Sequence, residues 1–132
     1  MQKFNQIILA IALAASVITL GAVSSRAHAA KLNLGQAGCE NTANLVYKIA
    51  SARDAKTMTK ADVIKWNDDA AADAIAKGQN PKMVATYHKF LAWVIDVIYS
   101  NDALRLAPQA LAQDFFGACM ANGGVVDMGE EV

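Results

Sequence analysis

The sequence lacks the patterns that mark several classes of protein. It has 12 Lys and Arg against 12 Asp and Glu, and no run of basic residues follows one face. This balance argues against nucleic acid or anionic lipid as the main partner. There is no glycine-rich phosphate loop and no His-Glu-x-x-His zinc motif. Neither strand-like alternation nor a hairpin dipeptide intervenes between the helical segments described below, so helices are the only predicted elements.

Catalytic residues are equally scarce. The chain has 2 histidines, and one of them lies in the N-terminal region described below. The other, His88, falls at the edge of an apolar helix face, with no spacing that ties it to a serine or cysteine nucleophile. Asp69, Asp73 and Lys77 form an i, i+4, i+8 row, which is typical of a solvated helix face rather than a metal site. We therefore predict a protein without enzymatic activity, cofactor or metal.

The N-terminus has the features of an export signal. Lys3 precedes a mainly apolar run over 7–23 that contains no charged residue, and the small-x-small sequence Ala-His-Ala at 27–29 follows a short polar stretch. We predict a cleaved signal peptide over 1–29 and a periplasmic or secreted mature protein. An uncleaved membrane anchor is the alternative, although the run is short for a bilayer span. The remaining chain is slightly acidic and, at roughly 100 residues, is long enough for one domain.

Four amphipathic helices are predicted in the mature chain. Thr59 and Asp62 have the spacing of a capping box, and Asn80 followed by Pro81 is a second helix start. Gly78 and the Asn-Gly-Gly sequence from Asn122 are stop signals. The alanine-rich second helix is expected to be the least stable, with a break near Asn67 as an alternative. The predicted helices span 39–54, 59–78, 81–100 and 108–121, and the third has the widest apolar arc.

The two cysteines fit a disulfide best. Cys39 lies at the start of the first apolar face, and Cys119 lies near the end of the fourth. An up-down-up-down four-helix bundle would bring these two ends together. Lipid attachment, a reactive thiol and a metal ligand are the alternatives, but neither cysteine belongs to a Cys-x-x-Cys or Cys/His cluster. We therefore predict an all-α bundle over 39–121 closed by one disulfide, with an N-terminal extension over 30–38 and a flexible C-terminal tail over 122–132.

One aromatic residue breaks the helical pattern. Trp93 falls in the polar sector of the third helix, near Lys82 and Thr86, where an indole ring would be exposed. Exposed aromatic rings are common at protein-binding hot spots. Trp93, Lys82 and Thr86 are therefore the predicted partner-binding residues. The alternative is that the second helix or a terminal tail covers Trp93.

Two stretches of the chain carry a resemblance to known proteins. "CENTANLVYKIASARDAKTMTKADV" and "VIDVIYSNDALRLAPQALAQDFFGACM", together with the export signal, resemble a group of small exported helical proteins of Gram-negative bacteria. This group is uncharacterised, so the resemblance implies no activity and no functional residues. The features that carry it are Cys39, Arg53-Asp54, Tyr99, Leu106 and Cys119.

A weaker similarity is to the periplasmic acid-stress chaperones of the HdeA type. Those proteins are also small, exported, helical and closed by one disulfide. They are more densely charged, have a shorter span between their cysteines, and have no matching alanine-rich segment.

These observations predict an exported, non-enzymatic protein that binds another periplasmic or secreted protein, as an inhibitor, immunity factor or accessory subunit does. The first alternative is an acid-stress chaperone, and the second is a carrier of a small apolar ligand. No nucleic-acid partner and no stable membrane anchor after signal cleavage are expected. The oligomeric state is left open.

Overall fold

A computed structural model describes residues 31–128, which form a mostly helical domain. The predicted four-helix, disulfide-closed fold is confirmed, and a short two-stranded sheet is added to it. The predicted signal peptide over 1–29 and residues 129–132 lie outside the described part of the chain. The up-down-up-down order remains a prediction.

In chain order the elements are β1 (Lys31–Asn33), α1 (Gly35–Asp54), α2 (Lys60–Ala76), α3 (Pro81–Ile98), a 3-10 helix (Ala103–Arg105), α4 (Pro108–Ala121) and β2 (Val125–Asp127).

The starts of α2 and α3 follow directly from their capping residues. The backbone N–H of Asp62 donates to Thr59 Oγ1 at 3.2 Å, and the Thr59 N–H donates to Asp62 Oδ2 at 2.9 Å. The latter bond lowers the pKa of the Asp62 carboxyl, because it stabilises the ionised form. Asn80 Oδ1 accepts from the backbone N–H of Lys82 at 2.9 Å, with Pro81 in the first helical turn. Both predicted helix starts are therefore confirmed.

The second helix is continuous across Asn67, so the alternative of a break at that position is wrong. Asn67 is only 3% exposed, and its Nδ2 donates to the backbone carbonyl of His88 on α3 at 2.9 Å. A buried amide is tolerated in a helix interior when such a partner satisfies it. Asn67 therefore joins α2 to α3 rather than ending α2.

The two ends of the described chain pair with each other, within the predicted extension over 30–38 and the predicted tail over 122–132. Strands β1 and β2 are antiparallel, and Leu32 and Val126, which are register partners, are both buried. Helix α1 begins at Gly35, four residues earlier than predicted. The start of α1 lies so close to the turn before β2 that position 124 must be glycine. A Cβ on Gly124 would lie 2.7 Å from the Cα of Gly35.

The core is organised around α3. Phe90 and Ile95 of α3 and Ile49 of α1 are completely buried, in agreement with the wide apolar arc predicted for α3. Val97, another apolar residue of α3, is 38% exposed. The full set of buried residues on α3 is Val84, Phe90, Leu91, Val94, Ile95 and Ile98.

The predicted disulfide is present. Cys39 and Cys119 are bonded, with their Cα atoms 5.9 Å apart. Both residues are buried, at 0% and 3% exposure. The bond joins the first turns of α1 to the last turn of α4, beside the sheet. It therefore fixes α1 against α4 at one end of the domain.

A buried arginine fixes the opposite end of α1. Arg53 is 7% exposed, and its Nη1 donates to the carbonyl oxygens of Ile98 at 2.6 Å and Ala103 at 3.3 Å. Its Nη2 donates to the Leu106 carbonyl at 3.2 Å, and its Nε pairs with Asp54 at 2.8 Å. A single guanidinium thus donates hydrogen bonds to carbonyl oxygens at the end of α3 and in the 3-10 segment that follows it.

Candidate functional site

A groove with a volume of about 610 Å³ lies between α1 and α4. Each helix contributes residues at positions i, i+3, i+4 and i+7, the spacing of one helix face. This face lies on the flank of the α1–α4 pair. It differs from the core-facing side of α1, which carries buried residues such as Val46 and Ile49. We call this surface the α1–α4 groove. It is lined by Glu40, Ala43, Asn44 and Tyr47 of α1 and by Gln109, Ala112, Gln113 and Phe116 of α4.

The disulfide defines the order of residues along the α1–α4 groove. Cys39 is bonded to Cys119, so Glu40, next to Cys39, and Phe116, one turn before Cys119, belong to the same end. Tyr47 and Gln109 belong to the other end. The short side chains of Ala43 and Ala112 lie between them and leave the space that forms the groove.

Two aromatic rings supply the apolar contacts of the α1–α4 groove. Tyr47 is 48% exposed, although it is one of the largest side chains on α1. Phe116 is half-buried and packs against the hydrophobic core. A fixed ring at the disulfide end and an accessible ring at the other end suit recognition of another molecule, because aromatic side chains give large contact areas with few rotatable bonds.

Three amide side chains supply the polar contacts. Asn44, Gln109 and Gln113 are exposed, and the hydrogen bonds found within residues 31–128 include none from these side chains. Each amide offers both donors and an acceptor. Glu40 is the charged residue of the lining, and one of its carboxylate oxygens accepts from Gln36 Nε2 at 3.3 Å. The groove therefore presents neutral hydrogen-bonding groups and one negative charge.

The structure places Trp93 differently from the sequence prediction. The indole ring is half-buried, packs against the core and stacks on Phe90, with ring centroids 6.2 Å apart. Helix α2 packs against α3, which helical periodicity within α3 alone did not reveal. Lys82 is exposed, and the Thr86 hydroxyl donates to the Lys82 carbonyl at 2.9 Å. A partner-binding role for Trp93, Lys82 and Thr86 remains a prediction. The Trp93 ring that motivated it is half-buried rather than exposed.

Polar residues that the sequence singled out outside the α1–α4 groove have structural partners. His88 Nε2 lies 2.7 Å from Asp68 Oδ1, which links α3 to α2. Asp73 and Lys77 form the predicted surface pair at 2.7 Å. Within residues 31–128, no three His, Cys, Asp or Glu side chains lie close enough together to hold a metal ion.

Sequence reasoning missed the α1–α4 groove, although parts of its signal were present. Glu40 and Asn44 are polar residues of α1, and Ala112 and Phe116 are apolar residues of α4. Neither pattern predicts which side of α1 contacts α4. The matched i, i+3, i+4, i+7 spacing on the two helices was the available signal.

None of the helices in the described range has both the length and the hydrophobicity needed to cross a membrane. Comparisons of the chain with protein-family models, curated proteins and solved structures find no match. The case for a function therefore rests on the residues and their geometry.

Proposed function

We propose that this chain is an exported, non-enzymatic protein that binds another protein through its α1–α4 groove, as an inhibitor, immunity factor or accessory subunit does. The observation that carries the proposal is the accessible Tyr47 ring beside three amide groups that have no hydrogen-bonding partner within the described chain. Tyrosine is enriched among residues that dominate binding energy.

The state of the reactive side chains supports a binding role. Cys39 and Cys119 are consumed in a buried disulfide, and the imidazole of His88 is engaged by Asp68. None of these groups lines the α1–α4 groove. Binding through ring contacts and amide hydrogen bonds needs no such group.

Export to the periplasm or beyond is part of the same proposal. The N-terminal region has the pattern of a signal peptide, and a disulfide persists in an oxidising compartment. The partner is therefore expected to be another periplasmic or secreted protein.

A carrier of a small apolar ligand receives less support from the geometry. Carrier sites enclose most of their ligand in a largely apolar cavity. The α1–α4 groove is open and carries three amides and a carboxylate. The interior of the domain is occupied by the protein's own side chains, with Phe90 fully buried.

An acid-stress chaperone is the other alternative, and three surface ion pairs are the observation that favours it. Lys60–Asp96, Lys65–Asp69 and Lys77–Asp73 would all be lost when acid protonates the carboxylates. Pairs as exposed as these contribute little to stability, so their loss loosens the fold only slightly. Suppressed aggregation of two unrelated proteins near pH 2–3, with none at neutral pH, would favour the chaperone.

Site-specific photocrosslinking tests the proposal. A photoreactive amino acid replaces Tyr47 or Gln109 in the exported protein, and Ile75 or Val97 in matched controls on other helices. Ile75 is as exposed as Tyr47, at 48%. We expect the two groove positions to crosslink one partner, and the purified partner to bind the unmodified protein. Equal crosslinking from the control positions would contradict the proposal.

A further inference from the structure

We infer that the occupant of the α1–α4 groove is an extended segment of the partner that carries a basic side chain opposite Glu40. This inference rests on the proposed function and adds the chemical character of the bound segment. It depends on three properties of the groove: its length, its hydrogen-bonding groups and its charge.

The length of the α1–α4 groove suits a short extended peptide. The lining runs from Glu40 to Tyr47 along α1, about two helical turns or roughly 10 Å at the α-helical rise. An extended chain rises about 3.3 Å per residue, so approximately three residues would span this distance. The two alanines, Ala43 and Ala112, leave room for a backbone between the helices.

The hydrogen-bonding groups suit a peptide backbone. An extended main chain presents N–H donors and C=O acceptors along its edges, and these groups need partners when they leave water. Asn44, Gln109 and Gln113 each carry a donor and an acceptor on one planar group. Because hydrogen bonds within the described chain do not occupy these amides, they can pair with either backbone group.

The charge of the α1–α4 groove determines which side chain the segment carries. Glu40 contributes a carboxylate at the disulfide end, and no Lys or Arg is among the lining residues. An acidic segment would meet unbalanced repulsion there, whereas a Lys or Arg would gain a charge-assisted hydrogen bond. Phe116, at the same end, offers its ring to the aliphatic part of that side chain.

Peptide selection tests this inference. A phage-displayed library of random heptapeptides is selected against the oxidised exported protein and against its Glu40→Gln variant. Asp114→Asn is the matched control, because Asp114 is an exposed carboxylate of α4 outside the groove lining. We expect Lys and Arg to be enriched in peptides selected on the wild-type protein and on Asp114→Asn, but not on Glu40→Gln.

Affinities of the selected peptides give the expected magnitudes. Glu40→Gln should weaken binding roughly three- to fivefold, because the pair is exposed. The effect should shrink in high salt, which screens it. Tyr47→Ala should weaken the same peptides by about 30-fold, as loss of a hot-spot ring does.

Three outcomes of the selection and crosslinking experiments would overturn the inference. One is selected peptides with no basic bias, and another is the same bias on Glu40→Gln. The third is the absence of any selected peptide while Tyr47 still crosslinks an intact partner, which would leave the proposed function standing. Sedimentation of the protein alone tests for self-association. A dimer that Tyr47→Ala dissociates would identify a second copy of the chain as the occupant and would also overturn the inference.

Discussion

Removing the Cys39–Cys119 bond should destabilise the domain by about 4.5 kcal/mol. The cysteines are 80 residues apart, and loop-closure entropy for a loop of that length gives this value at 25 °C. Domains of this size are stable by roughly 5–15 kcal/mol in total. The bond therefore accounts for a large share of the stability, mainly by restricting the unfolded chain.

Urea unfolding followed by circular dichroism measures this loss. Three samples are compared: the oxidised protein, the same protein reduced, and the Cys39→Ala/Cys119→Ala variant. Reduction and substitution should lower the free energy of unfolding by similar amounts, since both release the same loop. The m value should rise, because the unlinked unfolded chain exposes more surface.

The double variant also provides the control. Its stability should be the same in oxidising and reducing buffer, which shows that the reductant acts only through the disulfide. A difference of less than about 1 kcal/mol between the oxidised and reduced proteins would refute the loop-entropy argument. If the double variant were destabilised but the reduced protein were not, the loss of stability would come from the packing of the buried sulfur atoms instead.

Three further changes test the packing of the domain. Trp93→Ala should lower stability by roughly 2–3 kcal/mol in urea unfolding, because the ring packs on Phe90 and the core; a loss below about 0.5 kcal/mol would indicate a surface residue. Arg53→Met should lower it by about 2 kcal/mol, because the buried Ile98 carbonyl loses its guanidinium donor. The exposed Arg105→Met should have almost no effect, and equal losses would contradict the role of Arg53. Burial raises the pKa of Tyr87 to about 12, so stability should be unaffected below pH 10 and should fall as the pH rises from 10 towards 12, where the unfolded tyrosine ionises first. Absorbance at 295 nm should show a late-titrating phenol that Tyr87→Phe removes, and an unchanged titration in that variant would refute the assignment.

The helices were predictable because their signals are local. Thr59 with Asp62 and Asn80 with Pro81 define helix starts within four residues of chain, and the structure confirms both. The disulfide was predictable because it needs only two helix faces and a fold class. The helix starts depend little on how the helices pack, whereas the disulfide prediction also assumed the helix order of an up-down-up-down bundle.

The sheet and the α1–α4 groove were not predictable in the same way. Each strand has three residues, too few for alternation to be recognised, and Leu32 meets Val126 only after the helices have brought the chain ends together. The groove depends on which flank of α1 meets α4. Trp93 shows the same limit, because its place on α3 was predictable but its packing against the core was not.

The affinity of the partner identified by crosslinking tests the central proposal most directly. Calorimetric titration compares the wild-type protein with Tyr47→Ala and with Ile75→Ala, whose side chain on α2 is equally exposed, at 48%. The account predicts that Tyr47→Ala weakens binding by about 30-fold or more, with almost no change in folding stability, and that Ile75→Ala binds like the wild-type protein. Unchanged affinity for Tyr47→Ala, or an equal loss for Ile75→Ala, would contradict binding through the α1–α4 groove.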